Sequence, residues 1–509
     1  MSKEIELKLA IAPAALNRLS AHPDFQQFKT EKSTRKQLFS KYFDTKDHTL
    51  RQAGISLRIR RDGAQFIQTI KSHRDSEALV MNRNEWEFPV PDLGKLDFTH
   101  AQITALAPLI ETHDQRAAIQ PLFTVSVDRE ILLLKYSNSI IEIALDHGRV
   151  SAGPKARQFA EVELELKSGS SEDLYALARE IAAIVTVRPS TRSKADRGFD
   201  LLNERTPQVT KAQPIILEEG TSTGEAFRII ARSCLKQFLT NEEVLRQTRV
   251  AGAVHQARVG LRRLRAAISV FRSIVDDDER AFISNELRWI ANCLGEARDI
   301  DVYIKNILEP AKAKHAEDPA FIALAEKYAI HRERAYDSAQ RAISSRRSTQ
   351  AIIATIAWVE AGPWTCLEGK KAKKKRQQPI RKFASKQLDR RWNKIIKRAT
   401  HLSSLEAEAR HEVRISLKKL RYASEFFAGL FLKDEANKPF KAAISSMTKL
   451  QDLLGELNDI AVGRERETHS EAEDQLRDEH AADEHKLLSK AEKAYKDFAH
   501  VPPFWRAED

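Results

Sequence analysis

The chain has 509 residues, 42% apolar and 31% charged, enough apolar material for sizeable cores and too much for a disordered polyelectrolyte. Only 17 glycines and 3 cysteines (Cys234, Cys293, Cys366) exclude a collagen-like or disulfide-framed protein, and the cysteines show no zinc spacing. The net charge of +12 is uneven. Residues 1–200 hold 29 basic against 27 acidic side chains, leaving 55 against 45 in the remainder, which is expected to attract polyanions. The N-terminus has no apolar signal core and no run of 18 apolar residues occurs, so a cytoplasmic protein without a membrane partner is expected.

Residues 1–200 show short segments of period-2 alternation. Glu4, Glu6 and Lys8 alternate with Ile5, Leu7 and Leu9; Arg58 and Arg60 with Leu57 and Ile59; Thr69 and Lys71 with Ile70. Glu85 and Glu87 flank Trp86, Glu142 and Asp146 alternate with Ile141, Ile143 and Leu145, and Glu161, Glu163 and Glu165 alternate with Val162, Leu164 and Leu166. Such segments are strands with one apolar and one charged face. Alternation by itself fits an antiparallel sheet with its polar face in water. Two features favour an enclosed face instead: whole strands carry one sign, and acidic strands exceed what a solvated face needs. If the apolar faces turn outward onto helices, the charged faces line one tunnel.

Crowded carboxylates require compensating cations. Hard divalent ions accept carboxylate oxygens and bridge them to phosphates, while arginine and lysine hold the remaining phosphate charge. Segregated acid and base therefore suit a linear phosphate and a metal ion, and this pairing can stabilise phosphoryl transfer to water. No protein nucleophile with recognisable partners is legible, so a metal-activated water is the simplest expectation.

The opening Glu4-Ile-Glu6-Leu-Lys8, followed in order by Tyr42-Phe43-Asp44-Thr45, Leu57-Arg-Ile-Arg60, Gln68-Thr-Ile-Lys71, Glu85-Trp-Glu87, Leu145-Asp146 and Glu161-Val-Glu-Leu-Glu165, resembles the CYTH, or triphosphate tunnel metalloenzyme, family. The resemblance implies an eight-stranded antiparallel β tunnel with flanking helices that hydrolyses or cyclises triphosphates with Mg²⁺ or Mn²⁺. Carried over by motif, Glu4, Glu6 and Lys8 are the catalytic set. Metal falls to Glu4, Glu6, Glu85, Glu87, Asp146, Glu161, Glu163 and Glu165, with the matching pair among the last three open by one step of alternation. Phosphate falls to Lys8, Arg58, Arg60, Lys71, Arg129 and Lys194. Arg129 lies among Val125, Val127 and Ile131 by parity, and Lys194 is placed by position in a helical or loop segment.

Residues 206–224, rich in Pro, Thr and Gly, read as a linker between a domain at 1–205 and a helical one at 225–509. The basic run Lys370-Lys-Ala-Lys-Lys-Lys-Arg376 reads as a solvated loop. In the helical part, His255, Arg258, Arg262 and Arg265 recur as His411, Arg414, Lys418 and Arg421 at identical offsets. At 100° per residue each set falls within an arc of ~80°. Ala257, Leu261, Leu264, Ile268 and Phe271 form an adjoining apolar arc, repeated by Val413, Leu417, Leu420 and Phe427. Leu294-Gly295-Glu-Ala-Arg-Asp299 likewise recurs as Leu454-Gly455-Glu-Leu-Asn-Asp459, with the two aspartates placed to orient the basic side chains. This is an internal duplication, with units near 225–345 and 380–509. Facing basic stripes make a cationic channel for a linear polyanion. Nucleic acid is disfavoured, since aromatics are not interleaved with the basic positions and no recognition helix or zinc motif occurs.

These residues resemble the CHAD domain, which implies an all-α module of two duplicated bundles associated with inorganic polyphosphate. Lys418 and Lys419 stand where the first copy has Arg262 and Arg263, keeping charge but losing bidentate geometry. The expectation is an α+β chain acting as a metal-dependent inorganic triphosphatase that splits tripolyphosphate into pyrophosphate and phosphate, with a polyphosphate-binding helical domain. Two alternatives stand beside it: a non-catalytic polyphosphate adaptor, and a triphosphatase or cyclase acting on thiamine triphosphate or a nucleotide. The oligomeric state is left open.

Overall fold

The computed structural model describes residues 5–26, 33–72, 84–204, 206–218, 220–431, 438–465, 473–476 and 484–506. The expectations for Glu4 lie outside the described residues. The chain divides into two compact units. The first comprises Met1–Thr210, Leu239–Gln247 and Ile343–Gly362, and the second comprises Lys211–Phe238, Thr248–Ala342 and Pro363–Asp509. Among the described residues, no helix is long and apolar enough to cross a membrane.

Among the described residues, the first unit is built on nine strands: β1 (Glu6–Ile11), β2 (Thr34–Asp44), β3 (Ile55–Asp62), β4 (Gln65–Ser72), β5 (Asn84–Val90), β6 (Gln120–Tyr136), β7 (Ser139–Ala152), β8 (Lys155–Ser168) and β9 (Val187–Pro189). They form one antiparallel sheet in the order β5-β4-β3-β2-β6-β7-β8-β1-β9. The expectation of eight strands is thus corrected to nine. The extra strand pairs Val187–Pro189 with Leu9–Ile11 and is only 3 residues long, too short to show a period of two.

Period-2 alternation sorts the strands as expected. Leu7, Leu9, Ile141, Ile143, Val162 and Leu164 point to one face and are buried. Helices α1 (Pro13–Ala21) and α2 (Ser171–Ile184) pack against this side of the sheet, and the helix Arg346–Ala361 packs on α2 in turn. On the same face, farther along the sheet, Leu57, Ile59 and Ile70 close over Ala101, Leu106 and Ile110.

The opposite face is mixed. At one end Tyr42, Phe123, Val125, Val127 and Phe159 bury the apolar side of α3 (Lys194–Leu202) through Ala195, Phe199 and Leu201. Tyr42 stacks on Phe123 at 4.8 Å, and Phe199 meets Phe123 edge-on at 5.1 Å. This explains why Arg129 shares parity with valines: the same face is apolar under α3 and charged beyond its N-terminus.

The second unit is helical: α4 (Thr223–Gln247, shared with the first unit), α5 (Ala251–Val270), α6 (Glu279–Cys293), α7 (Gly295–Tyr303), α8 (Pro319–Ser344), α9 (Lys370–Gln377), α10 (Ile380–Arg398), α11 (Ala407–Phe427), α12 (Lys438–Glu465) and α13 (Glu484–His500). The predicted apolar arcs of α5 and α11 are buried throughout, and the two helices pack on each other. The run 370–376 is helix α9 rather than a loop, built of Lys, Ala and Arg that all favour helix; Gln378 caps its end and Pro379 is the N-cap of α10. The Gln378 carbonyl accepts from Thr223 N at 2.9 Å, which fixes the end of α9 to the start of α4.

Candidate functional site

Strand register assembles the charged face of the first unit. Lys8 pairs with Glu163, Asp146 with Glu161, and Arg129 with Asp146, so four neighbouring strands deliver their charges to one place. Helix α3 adds a further cation from its first turn. Ser193 caps it: Asp196 N donates to Ser193 Oγ at 3.1 Å, and Ser193 N donates to Asp196 Oδ2 at 2.9 Å. That cap puts Lys194 at the first helical position, where the macrodipole opposes a cation. Three carboxylates compensate it. Lys194 Nζ lies 2.8 Å from Asp146, 2.5 Å from Glu161 and 3.0 Å from Glu163.

The rest of the network is equally tight. Lys8 Nζ reaches Glu163 at 2.5 Å and Glu6 at 3.2 Å. Arg129 grips Asp146 with two donors at 2.7 and 2.6 Å and touches Glu163 at 2.5 Å. Asp146 and Glu161 are fully buried, and Lys8 and Glu163 nearly so. Burial lowers the Lys8 and Lys194 ammonium pKa values, but the carboxylates overcome it and raise both. Burial raises that of the Glu163 carboxyl, yet Lys194, Lys8 and Arg129 hold it well below the usual range.

Asp146, Glu161 and Glu163 each offer an oxygen within 4.8 Å of the others, a hard, all-oxygen donor set. These residues fit a divalent ion. Of the three alternating glutamates, the structure brings Glu161 and Glu163 to this cluster. Glu165 lies one step farther, half-buried, 2.8 Å from Lys167.

A second cluster forms beside the first on β3–β5. Arg58 Nη1 donates to the Tyr42 hydroxyl at 3.5 Å, and Arg58 faces Glu85 at 3.8 Å. Lys71 binds Glu85 at 2.7 Å, while exposed Glu87 accepts from Thr69 at 3.2 Å. Glu85 and Glu87 therefore sit among basic side chains and outside the three-carboxylate group. Burial and neighbouring Arg58 bring Arg60 down to about 10, a cation crowded by like charge.

Sequence reasoning passed over Arg197. Its Nη2 lies 3.2 Å from Glu161, and its guanidinium stacks 5.1 Å from the Phe159 ring centre. The signal was available, since Arg197 is three residues after Lys194 and three-residue spacing shares a helix face.

In the second unit the two basic stripes meet. Arg262 on α5 acts electrostatically on Arg414 and Lys418 of α11. Burial and then Arg414 and Arg262 bring Lys418 down to about 7. Burial and then Arg298, Arg262 and Arg258 bring His255 down to about 4. Arg258 donates to the Ala291 carbonyl at 2.7 Å, and Arg421 pairs with Glu425 at 2.6 Å. His411 Nδ1 meets Asn458 Oδ1. Arg298 occupies the repeat position of Asn458, so the first histidine faces a cation where the second faces an amide. Arg262, Arg265, Arg414 and Lys418 make no ion pair among the described residues.

Family models match residues 2–199 as a CYTH domain and residues 229–467 as a CHAD domain. The chain is thus a CYTH domain followed by a CHAD domain. Over 199 residues it is 31% identical to the inorganic triphosphatase of Haemophilus influenzae, covering 39% of this chain and 55% of that protein. Over 289 residues it is 26% identical to an uncharacterised protein of Mycobacterium tuberculosis, covering 54% of this chain and 53% of that one. The chain spans about half the length of these curated relatives. The solved CHAD domain of the plant Ricinus communis shares its fold with this chain, with a TM-score of 0.50 and 23% identity over 58% of this chain and 98% of that domain.

Proposed function

We propose that the chain is a metal-dependent inorganic triphosphatase that hydrolyses tripolyphosphate to pyrophosphate and phosphate in a tunnel on the charged face of its sheet. The observation that carries this reading is the buried group Asp146, Glu161 and Glu163, interlocked with Lys8, Arg129 and Lys194 on one surface. Its likeness to an inorganic triphosphatase supports it.

On this reading Asp146, Glu161 and Glu163, with Glu4 and Glu6, hold Mg²⁺ or Mn²⁺. The ion supplies charge neutralisation on phosphate oxygens and a more acidic bound water. Lys8, Arg129 and Lys194 now neutralise the carboxylates, and they exchange those partners for phosphate oxygens as substrate enters. Arg58, Arg60 and Lys71, crowded by like charge, take the distal phosphates. The sheet's buried setting keeps these contacts out of bulk water and strengthens each of them. In the CHAD domain, His255, Arg258, Arg262, Arg265, His411, Arg414, Lys418 and Arg421 bind inorganic polyphosphate.

A phosphate-release panel over tripolyphosphate, ATP, thiamine triphosphate and long-chain polyphosphate, with Mg²⁺, with Mn²⁺ and with chelator, tests the assignment. Metal-dependent turnover of tripolyphosphate above the organic substrates is expected. Polyphosphate binding with no turnover of any triphosphate would replace the enzyme with an adaptor.

A further inference from the structure

One turn past Arg265 the same face of α5 carries the uncharged Ser269, about 16 Å along the axis from Arg258 at ~1.5 Å per residue. Just past the helix end lies a cavity of ≈ 230 Å³, where Ser269, Arg272, Arg390, Arg391, Lys394 and Lys419 come together from α5, α10 and α11. Among the described residues, none of these five cations makes an ion pair. Arg391 is held in place as a strut: Nη1 donates to Gln387 Oε1 at 2.7 Å and Nη2 to the Ser269 carbonyl at 3.4 Å. Glu412 acts on Lys419 and also faces Arg398 at 3.5 Å.

The crowding acts on the groups themselves. Burial and then Arg390 bring Arg391 down to about 10. Burial, then Lys394, Arg391 and Arg265, depress Lys419, so its ammonium feels both this cavity and the stripe. Five like charges around one hollow repel one another, and an anion in the hollow reverses the sign of that energy.

We propose that this cavity is a second phosphate-binding subsite, continuous with the paired stripes, so that a long polyphosphate chain engages both at once. It rests on the reading that the CHAD domain binds polyphosphate. Two subsites on one chain raise affinity through effective concentration, and only for ligands long enough to span them.

The test is a titration of the full-length protein with long-chain polyphosphate, comparing wild type, Arg390→Ala/Lys394→Ala in the cavity and Arg262→Ala/Arg414→Ala in the stripes. The cavity variant should bind roughly tenfold more weakly, the loss of about 1.4 kcal/mol of contact. It should keep wild-type tripolyphosphate turnover, and Arg390→Lys/Lys394→Arg should recover the affinity. A cavity variant that binds like wild type while the stripe variant weakens would overturn the subsite and leave the polyphosphate reading standing. Wild-type affinity in both variants would remove the reading and the subsite together.

Discussion

Gly455 lies directly against Arg414: a Cβ on the glycine would stand 3.2 Å from the guanidinium Nη2. The first copy repeats the arrangement, with a Cβ on Gly295 3.0 Å from Arg258 Nη1. The duplicated Leu-Gly-Glu therefore has a spatial meaning, since the missing side chain lets each arginine lie across the following helix. Gly455→Ala should leave the fold intact, because the end of a flexible side chain can shift by a few tenths of an ångström. It should weaken polyphosphate binding about threefold through lost orientation. A titration with unchanged affinity would show that Arg414 needs no such seat.

On the proposed reading that the CHAD domain binds polyphosphate, Lys418 gives that site a pH dependence. Free, it titrates at about 7. A bound polyanion restores its ordinary, higher value, so above pH 7 binding takes up a proton. Affinity should fall as pH rises from 7, by up to about tenfold per unit for this one group, and flatten below 7, where the ammonium is already charged. Lys418→Arg, which reinstates the residue type of the first copy, should flatten the profile and tighten binding at pH 8. Parallel pH profiles in the two proteins would exclude Lys418 as the source.

Glu163 is the carboxylate on which Lys8, Arg129 and Lys194 converge. Its folded-state pKa is depressed, so its contribution to stability is present above the unfolded value and disappears as pH falls through the folded one. Glu163→Gln should abolish turnover and cost about 3 kcal/mol at pH 7, the scale of a broken buried ion pair. In urea unfolding the gap from wild type should close in strong acid. A variant as stable as wild type at pH 7 would mean that the cations do not depend on this charge.

Arg197 contacts Glu161, and on the proposed reading it positions that carboxylate for the metal ion. Arg197→Ala should raise the Mn²⁺ concentration for half-maximal turnover several-fold and leave the rate at saturating metal close to wild type. Arg197→Lys should recover most of the metal affinity. A lowered maximal rate with an unchanged metal requirement would assign Arg197 to the reaction step instead.

Much of this was written in local order. Strict alternation in Glu6–Ile11, Ile141–Asp146 and Glu161–Leu166 sorts side chains to two faces whatever the rest of the chain does, because a strand has a period of two. The offsets within His255–Arg265 and His411–Arg421 likewise set the basic stripes beside buried ones, because a helix has a period of 3.6. Register and packing decided the remainder. That Glu161 and Glu163 join Asp146 while Glu165 turns to Lys167 follows from which residue of β8 stands opposite which of β7 and β1, and alternation is blind to a shift of two. That Arg129 reaches the acids from a valine-rich strand follows from where α3 stops covering the sheet. The ninth strand and the gathering of Arg272, Arg390, Arg391, Lys394 and Lys419 arise from contacts between distant segments, which no periodicity within one segment can encode.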